Sequence, residues 1–209
     1  MTPAIAPEDL LSTDAYDLVR ARYRGRIIAL KRRRRVTVGP HVSVLFESRE
    51  TVLYHIQEIL WLERPVRPER VREEIAENDR LIPRAGELTA TLMIHGGPPL
   101  AGQALIAGLA AGQAVVMLLL GERRVAAELL SPVDDPCCPV HYLRFSLDHA
   151  AVRALLERRA DVHLGVHHAG GLETVALSRE TVDELALGLG ADSAPAARAP
   201  MLSSVADCS

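Results

Sequence analysis

Residues 100–120, LAGQALIAGLAAGQAVVMLLL, run for twenty-one positions without a charge, and no other stretch constrains the fold as strongly. A helix needs about 20 apolar residues to cross a bilayer, so length alone leaves a membrane span open. The composition of the run argues otherwise. Gly102, Gly108 and Gly112 interrupt it, and Gln103 and Gln113 sit inside it. Its first half reads as a small-residue helix entered at proline and left at glycine. Its second half, AVVMLLL, is a short apolar run bounded by Gly112 and Gly121, the pattern of a buried strand. A helix followed by a buried strand needs a globular core, so the expectation is a soluble protein without a membrane span.

That core must be aliphatic, because the chain has only two Phe, four Tyr and one Trp in 209 residues. Upstream of the run, Tyr16, Val19, Tyr23, Ile27 and Leu30 recur at three- and four-residue steps, the stripe of an amphipathic helix ending near Arg35. His41 to Glu47 alternates as a strand, with Val42, Val44 and Phe46 on one face and His41, Ser43, Leu45 and Glu47 on the other. Ser48 caps a further helix that Pro65 stops, and Pro68 opens an acidic one. From Glu87 onward, strand patterns at ELTATLMI, AVVMLLL, RVAAELL, VHYLRFSL, VHLGVHH and LETVAL interleave with three helices, the last ending at Gly188. The expected architecture is α+β: a helical N-terminal region with one strand or hairpin, followed by a mixed β-sheet covered by helices. Residues 1–190 are expected to form a single domain, helix-rich over 1–83 and sheet-rich over 84–190. Residues 191–209, rich in Ala, Ser and Pro, are expected to be a disordered tail.

Charge is unevenly placed. Nine of the twenty-four basic residues fall between Arg20 and Arg35 with no acid among them, leaving fifteen to face all twenty-seven acidic residues. A block like this finds acidic neighbours or an anionic partner. The acid-rich helix after Pro68 is the expected neighbour. The alternative is polyanion binding through Arg32, Arg33, Arg34 and Arg35, since each such contact releases counterions. The overall net charge of −3 and the lack of interleaved aromatics argue against nucleic acid as the partner.

His41, Glu47, His55, Glu58 and His141 are the candidate metal ligands, imidazoles and carboxylates suited to iron, manganese or zinc. They do not all serve one ion. His41 and Glu47 share a strand face but stand about 20 Å apart at ~3.3 Å per residue. His55 and Glu58 lie three apart on one helix side, which makes them the centre of a metalloenzyme reading. His163 and His167 share a strand face about 13 Å apart and read as surface histidines. Cys137-Cys138 is a vicinal pair without CxxC spacing or a basic activator. Three cysteines and an N-terminus lacking a basic, then apolar, leader point to the cytoplasm. His95-Gly96-Gly97 is similar to an oxyanion-hole loop, but no G-x-S-x-G elbow accompanies it.

The run LKRRRRVTVGPHVSVLFESRETVLYHIQEILWLER, with ELTATLMI and VHYLRF after it, resembles the bacterial family known as domain of unknown function 3501. The resemblance covers roughly residues 8–188 and is strongest from Arg32 to Arg64. It implies an accessory protein encoded near rubrerythrin-like di-iron proteins and iron–sulphur proteins, hence an oxidative-stress or electron-transfer setting and a partner of that kind. On that reading the contact residues are His41, Glu47, Arg49, His55, Gln57, Glu58, His141 and Arg144, with Tyr54 and Trp61 as exposed aromatic anchors. Oligomeric state is left open by the sequence.

Overall fold

In the computed structural model, residues 4–95, 99–113, 115–130, 138–157, 161–168 and 171–190 are described. The apolar stripe read from the sequence does form a helix, α1 (Thr13–Arg34), started by Ser12, whose Oγ accepts from Ala15 N. The β-branched VTV then converts the chain to β1 (Arg35–Val38), and a turn at Gly39, held at φ 58°, returns it as β2 (Val42–Phe46). The sequence left one strand or a hairpin here, and the antiparallel pairing of β1 with β2 makes it a hairpin. Ser48 caps α2 (Arg49–Leu62) in a box in which Thr51 Oγ1 accepts from Ser48 N. Next come α3 (Pro68–Asn78), β3 (Glu87–Ile94) and α4 (Pro99–Ala110). The sheet-rich part continues through β4 (Val116–Leu120), β5 (Arg123–Leu129) and β6 (Val140–Ser146). It closes with α5 (His149–Glu157), β7 (Val162–His168), β8 (Gly171–Ala176) and α6 (Arg179–Gly190).

The uncharged run divides as its composition demanded, into α4 and β4. Among the described residues no helix is long and apolar enough to cross a membrane. Two sequence expectations need correction. The eight strands form one sheet in the order β1-β2-β3-β6-β5-β4-β7-β8, and every pairing in it is antiparallel, so the sheet is not mixed. Strand patterns alone carry no direction; the crossovers through helices had suggested parallel pairs. The last helix also runs past Gly188 to Gly190. Residues 191–209 and Cys137 lie outside the described residues.

The sheet curls so that its edges β1 and β8 approach one another. Its inner face and α4, α5 and α6 enclose the main core, which includes Val44, Phe46, Leu92, Ile106, Leu118, Phe145, Leu155, Leu164 and Leu185. Phe46 and Phe145 meet there at 5.9 Å between ring centres. A second core lies on the outer face of β2, β3 and β6, where α2 contributes Val52, Leu53, Ile56 and Leu60 and is joined by Leu81 and Ile82. Both faces of β2 are therefore buried. Helix α1 packs on α2 at one side and α6 at the other, joining the outer layer to the inner one.

Candidate functional site

The arginine block is divided by the helix that carries it. Arg34, on the buried side of α1, is only 3 % exposed. Its Nε donates to the carbonyl of Phe46 at 2.9 Å, Nη2 to that of Glu47 at 2.8 Å and Nη1 to that of Glu184 at 3.0 Å. The guanidinium thus ends β2 and ties it to α6. Burial lowers its pKa, while the Glu184 and Glu47 carboxylates work in the opposite direction. Arg34 is consequently no contact for an external anion, correcting that assignment. Arg33 pairs with Glu184 at 2.7 Å, whereas Arg32 and Arg35 remain exposed. Among the described residues the block's ion pairs reach α2 and α6, where α3 was the expected neighbour: Arg20 pairs with Glu58 and Arg26 with Glu50. Helix α3 instead uses Glu74 to hold Arg70 and Asn78.

The metal-ligand candidates are dispersed. The pleat separates His141 from the rest, because it faces Leu92 on the core side of the sheet, with its Nε2 2.8 Å from the carbonyl of Cys138. Glu47 is buried on the outer face and accepts from Thr51 Oγ1 at 2.5 Å and Thr91 Oγ1 at 2.6 Å. Glu58 receives Arg20 through two bonds, 2.9 and 2.8 Å, and the Tyr16 hydroxyl at 2.6 Å. Burial pushes the Glu58 carboxyl up, but the Arg20 and Tyr16 bonds outweigh it and hold its pKa below the usual range. His55, three residues away, is exposed and joins none of these bonds. Among the described residues no three His, Cys, Asp or Glu side chains are grouped to hold a metal ion.

The proposed contact residues fare unevenly. Gln57 is 1 % exposed and binds the backbone of Leu11 in both directions, accepting from its N–H at 2.8 Å and donating to its carbonyl at 3.1 Å. It anchors the N-terminal segment, and its burial closes it to a partner. Arg49 pairs with Asp9 at 2.6 Å, and Arg144 with Glu128 at 2.9 Å. Trp61 is no free anchor either. Its ring lies between Arg20, 3.7 Å from the centroid, and Arg64, at 4.6 Å, while Nε1 donates to Asp17. Tyr54 is half-buried against Tyr23. Cys138 is a free thiol whose Sγ lies 3.2 Å from the carbonyl of Val140.

Two further features stand out among the described residues, and sequence reasoning had not put either together. The first is the outward side of α1. Leu18 is 88 % exposed and Ile28 45 % exposed, and both stand beside exposed Ala21, Gly25 and Ala29. Those three small residues recur at four-residue steps, forming a shallow groove into which another helix ridge fits. Arg22, Arg24, Arg26, Lys31, Arg32 and Arg33 flank it. The second is the outer sheet face beyond the reach of α2, where His41, Ser43 and His95 meet. The sequence marks His41 as a candidate ligand and His95 within its Gly-rich loop, but nothing local joins the two.

A family model described as protein of unknown function (DUF3501) matches residues 4–189. A crystal structure titled as a novel protein of unknown function from Burkholderia pseudomallei K96243 is similar, with TM-score 0.78 and 28 % identity. The match covers 90 % of this chain and 100 % of that one. No curated protein matches.

Proposed function

This chain belongs to the DUF3501 family of proteins of unknown function, and we propose that it acts as a non-catalytic accessory protein that docks an acidic helix on the outward face of α1. The observation that carries this is the solvent exposure of Leu18 and Ile28 along a line of small residues rimmed by basic ones. Isolated exposed apolar residues are ordinary, but an aligned set on a 22-residue helix is what a helix-in-groove contact requires. Charge selects the occupant. Two copies joined through α1 would set basic flank against basic flank, whereas an acid-bearing helix gains from both rims. The polar groups that a catalytic reading would recruit, Glu47, Glu58 and Gln57, are engaged in holding the fold. The family resemblance supplies the setting, a metal-dependent redox partner of the rubrerythrin-like or iron–sulphur kind.

The test is chemical cross-linking of the full chain in native extract, read by mass spectrometry, with wild type beside the L18E/I28E variant. Expected is one acidic protein of that redox class, captured at low salt, released at high salt and lost with the variant. Capture unchanged by the variant, or a homodimer that the variant dissolves, overturns the proposal.

A further inference from the structure

We propose that Arg35, His41, Ser43 and His95 form a binding site for a phosphate-class oxyanion on the outer face of the sheet. The hairpin register sets Thr37 opposite Ser43, and the β2–β3 register sets Ser43 opposite Met93, so these side chains share one face. The ladder continues one step beyond β3, where His95 N–H donates to the carbonyl of His41 at 2.7 Å, bringing both imidazoles to the same place. Helix α2 meets this face at Glu47, through Thr51, while Arg35, His41 and His95 at its other end are exposed.

Ser43 organises the group. It is 2 % exposed, with Oγ 2.6 Å from His95 Nε2 and 3.5 Å from Arg35 Nη1. Two cationic or ionisable donors therefore stand no more than roughly 6 Å apart over one buried oxygen. With His95 Nε2 taken by Ser43, the His95 Nδ1 and the remaining N–H groups of Arg35 are the ones left to meet different oxygens of an anion. His41 is the third donor group, its Nδ1 held 3.2 Å from the His95 carbonyl.

Among the described residues no carboxylate bonds to Arg35, His41 or His95. The partners of Arg35 among the described residues are the Ser43 hydroxyl and the Met93 sulfur, at 3.5 and 3.3 Å, both weak acceptors for a guanidinium. Arg20, Arg26, Arg33 and Arg34 each have a carboxylate. Glu47 lies four residues along the strand, about 13 Å away at ~3.3 Å per residue, and Thr51 and Thr91 hold it. The nearest carboxylate besides it among the described residues is that of Glu173 on β8, which packs against Gly39 at the hairpin tip. A guanidinium with a planar donor fork beside two imidazoles favours a phosphoryl group over a halide or a lone carboxylate.

The test titrates the full chain with inorganic phosphate, and in a second arm with adenosine 5′-monophosphate. Imidazole resonances are followed by NMR and affinity by calorimetry. Saturable shifts of His95 and His41, with His149 and His167 unmoved, are expected. R35Q should weaken binding about tenfold or more and S43A several-fold, while R32Q, outside the cluster, binds as wild type. Tighter binding of the nucleotide than of free phosphate assigns the site to a phosphomonoester, and equal binding assigns it to phosphate itself. No saturable shift up to tens of millimolar overturns the proposal, as does an R35Q variant of unchanged melting temperature that binds like wild type. Because α1 docking is read out separately, failure here leaves that reading standing.

Discussion

Replacing Arg34 by alanine tests whether the arginine block is a surface feature or a structural one. The substitution removes three hydrogen bonds to the carbonyls of Phe46, Glu47 and Glu184, at 2.8–3.0 Å, and leaves the Glu184 carboxylate without its 3.5 Å partner. Glu184 keeps Arg33, so the cost falls on the three carbonyls left without a donor, at about 1–3 kcal/mol each where buried, or about 3–5 kcal/mol together after partial rehydration. Arg33 is the control. It contacts the same Glu184, but its side chain is 41 % exposed, and an exposed pair contributes about 0–1 kcal/mol. Urea denaturation followed by circular dichroism should therefore separate R34A from R33A by about 3 kcal/mol or more. The melting temperature should fall by roughly 6–20 °C at about 2–4 °C per kcal/mol for a chain of this size. R34K keeps the charge but not the fork and should fall between the two. If R34A costs under about 1 kcal/mol, or matches R33A, the clamp contributes nothing measurable and the block reverts to a solvated helix end.

Four further outcomes follow from the same geometry. E58Q should destabilise by about 1–2 kcal/mol through loss of the two-bond Arg20 contact, and it should leave the metal content of the purified protein, read by elemental analysis, unchanged. Because the folded-state pKa of Glu58 lies below its ordinary 4.5, its contribution is complete above that pH and lost as pH falls through the lower folded value. Acid unfolding of E58Q should accordingly be less steep in that window than wild type. Q57L should cost about 1–3 kcal/mol and raise amide exchange over residues 4–12 first, since Gln57 is what holds Leu11. Two glycines should diverge in thermal melts. G25A should stabilise by about 0.5–1 kcal/mol, as an added Cβ meets nothing within 4 Å. G108A should destabilise by about 1–3 kcal/mol, because its Cβ would stand 2.7 Å from a methyl of buried Val115.

Periodicity, with cap and turn residues, located α1, the strand at β2, α2 with its Ser48 cap and the division of residues 100–120 into helix and strand. Those elements follow from spacing within ten or twenty residues, which is information a single segment contains. Strand direction does not. It depends on which strands become neighbours, so the antiparallel order in which β3 meets β6 was not readable. The candidate sites fell on the same boundary. Glu58 looked like a ligand beside His55 because its real partners, Tyr16 and Arg20, are 42 and 38 residues away. Arg34 looked like its neighbours because one position in a run of four is distinguished only by the side of the helix that meets α6. The alternation of His41 and Ser43 was visible, but His95 reaches them only through the β2–β3 register. The sequence by itself thus determined which segments are helix or strand and which faces are apolar, since these follow from local sterics and burial. Tertiary structure decided which charges are spent and which are left exposed, because a carboxylate or guanidinium is satisfied by whatever group the fold brings within hydrogen-bond reach.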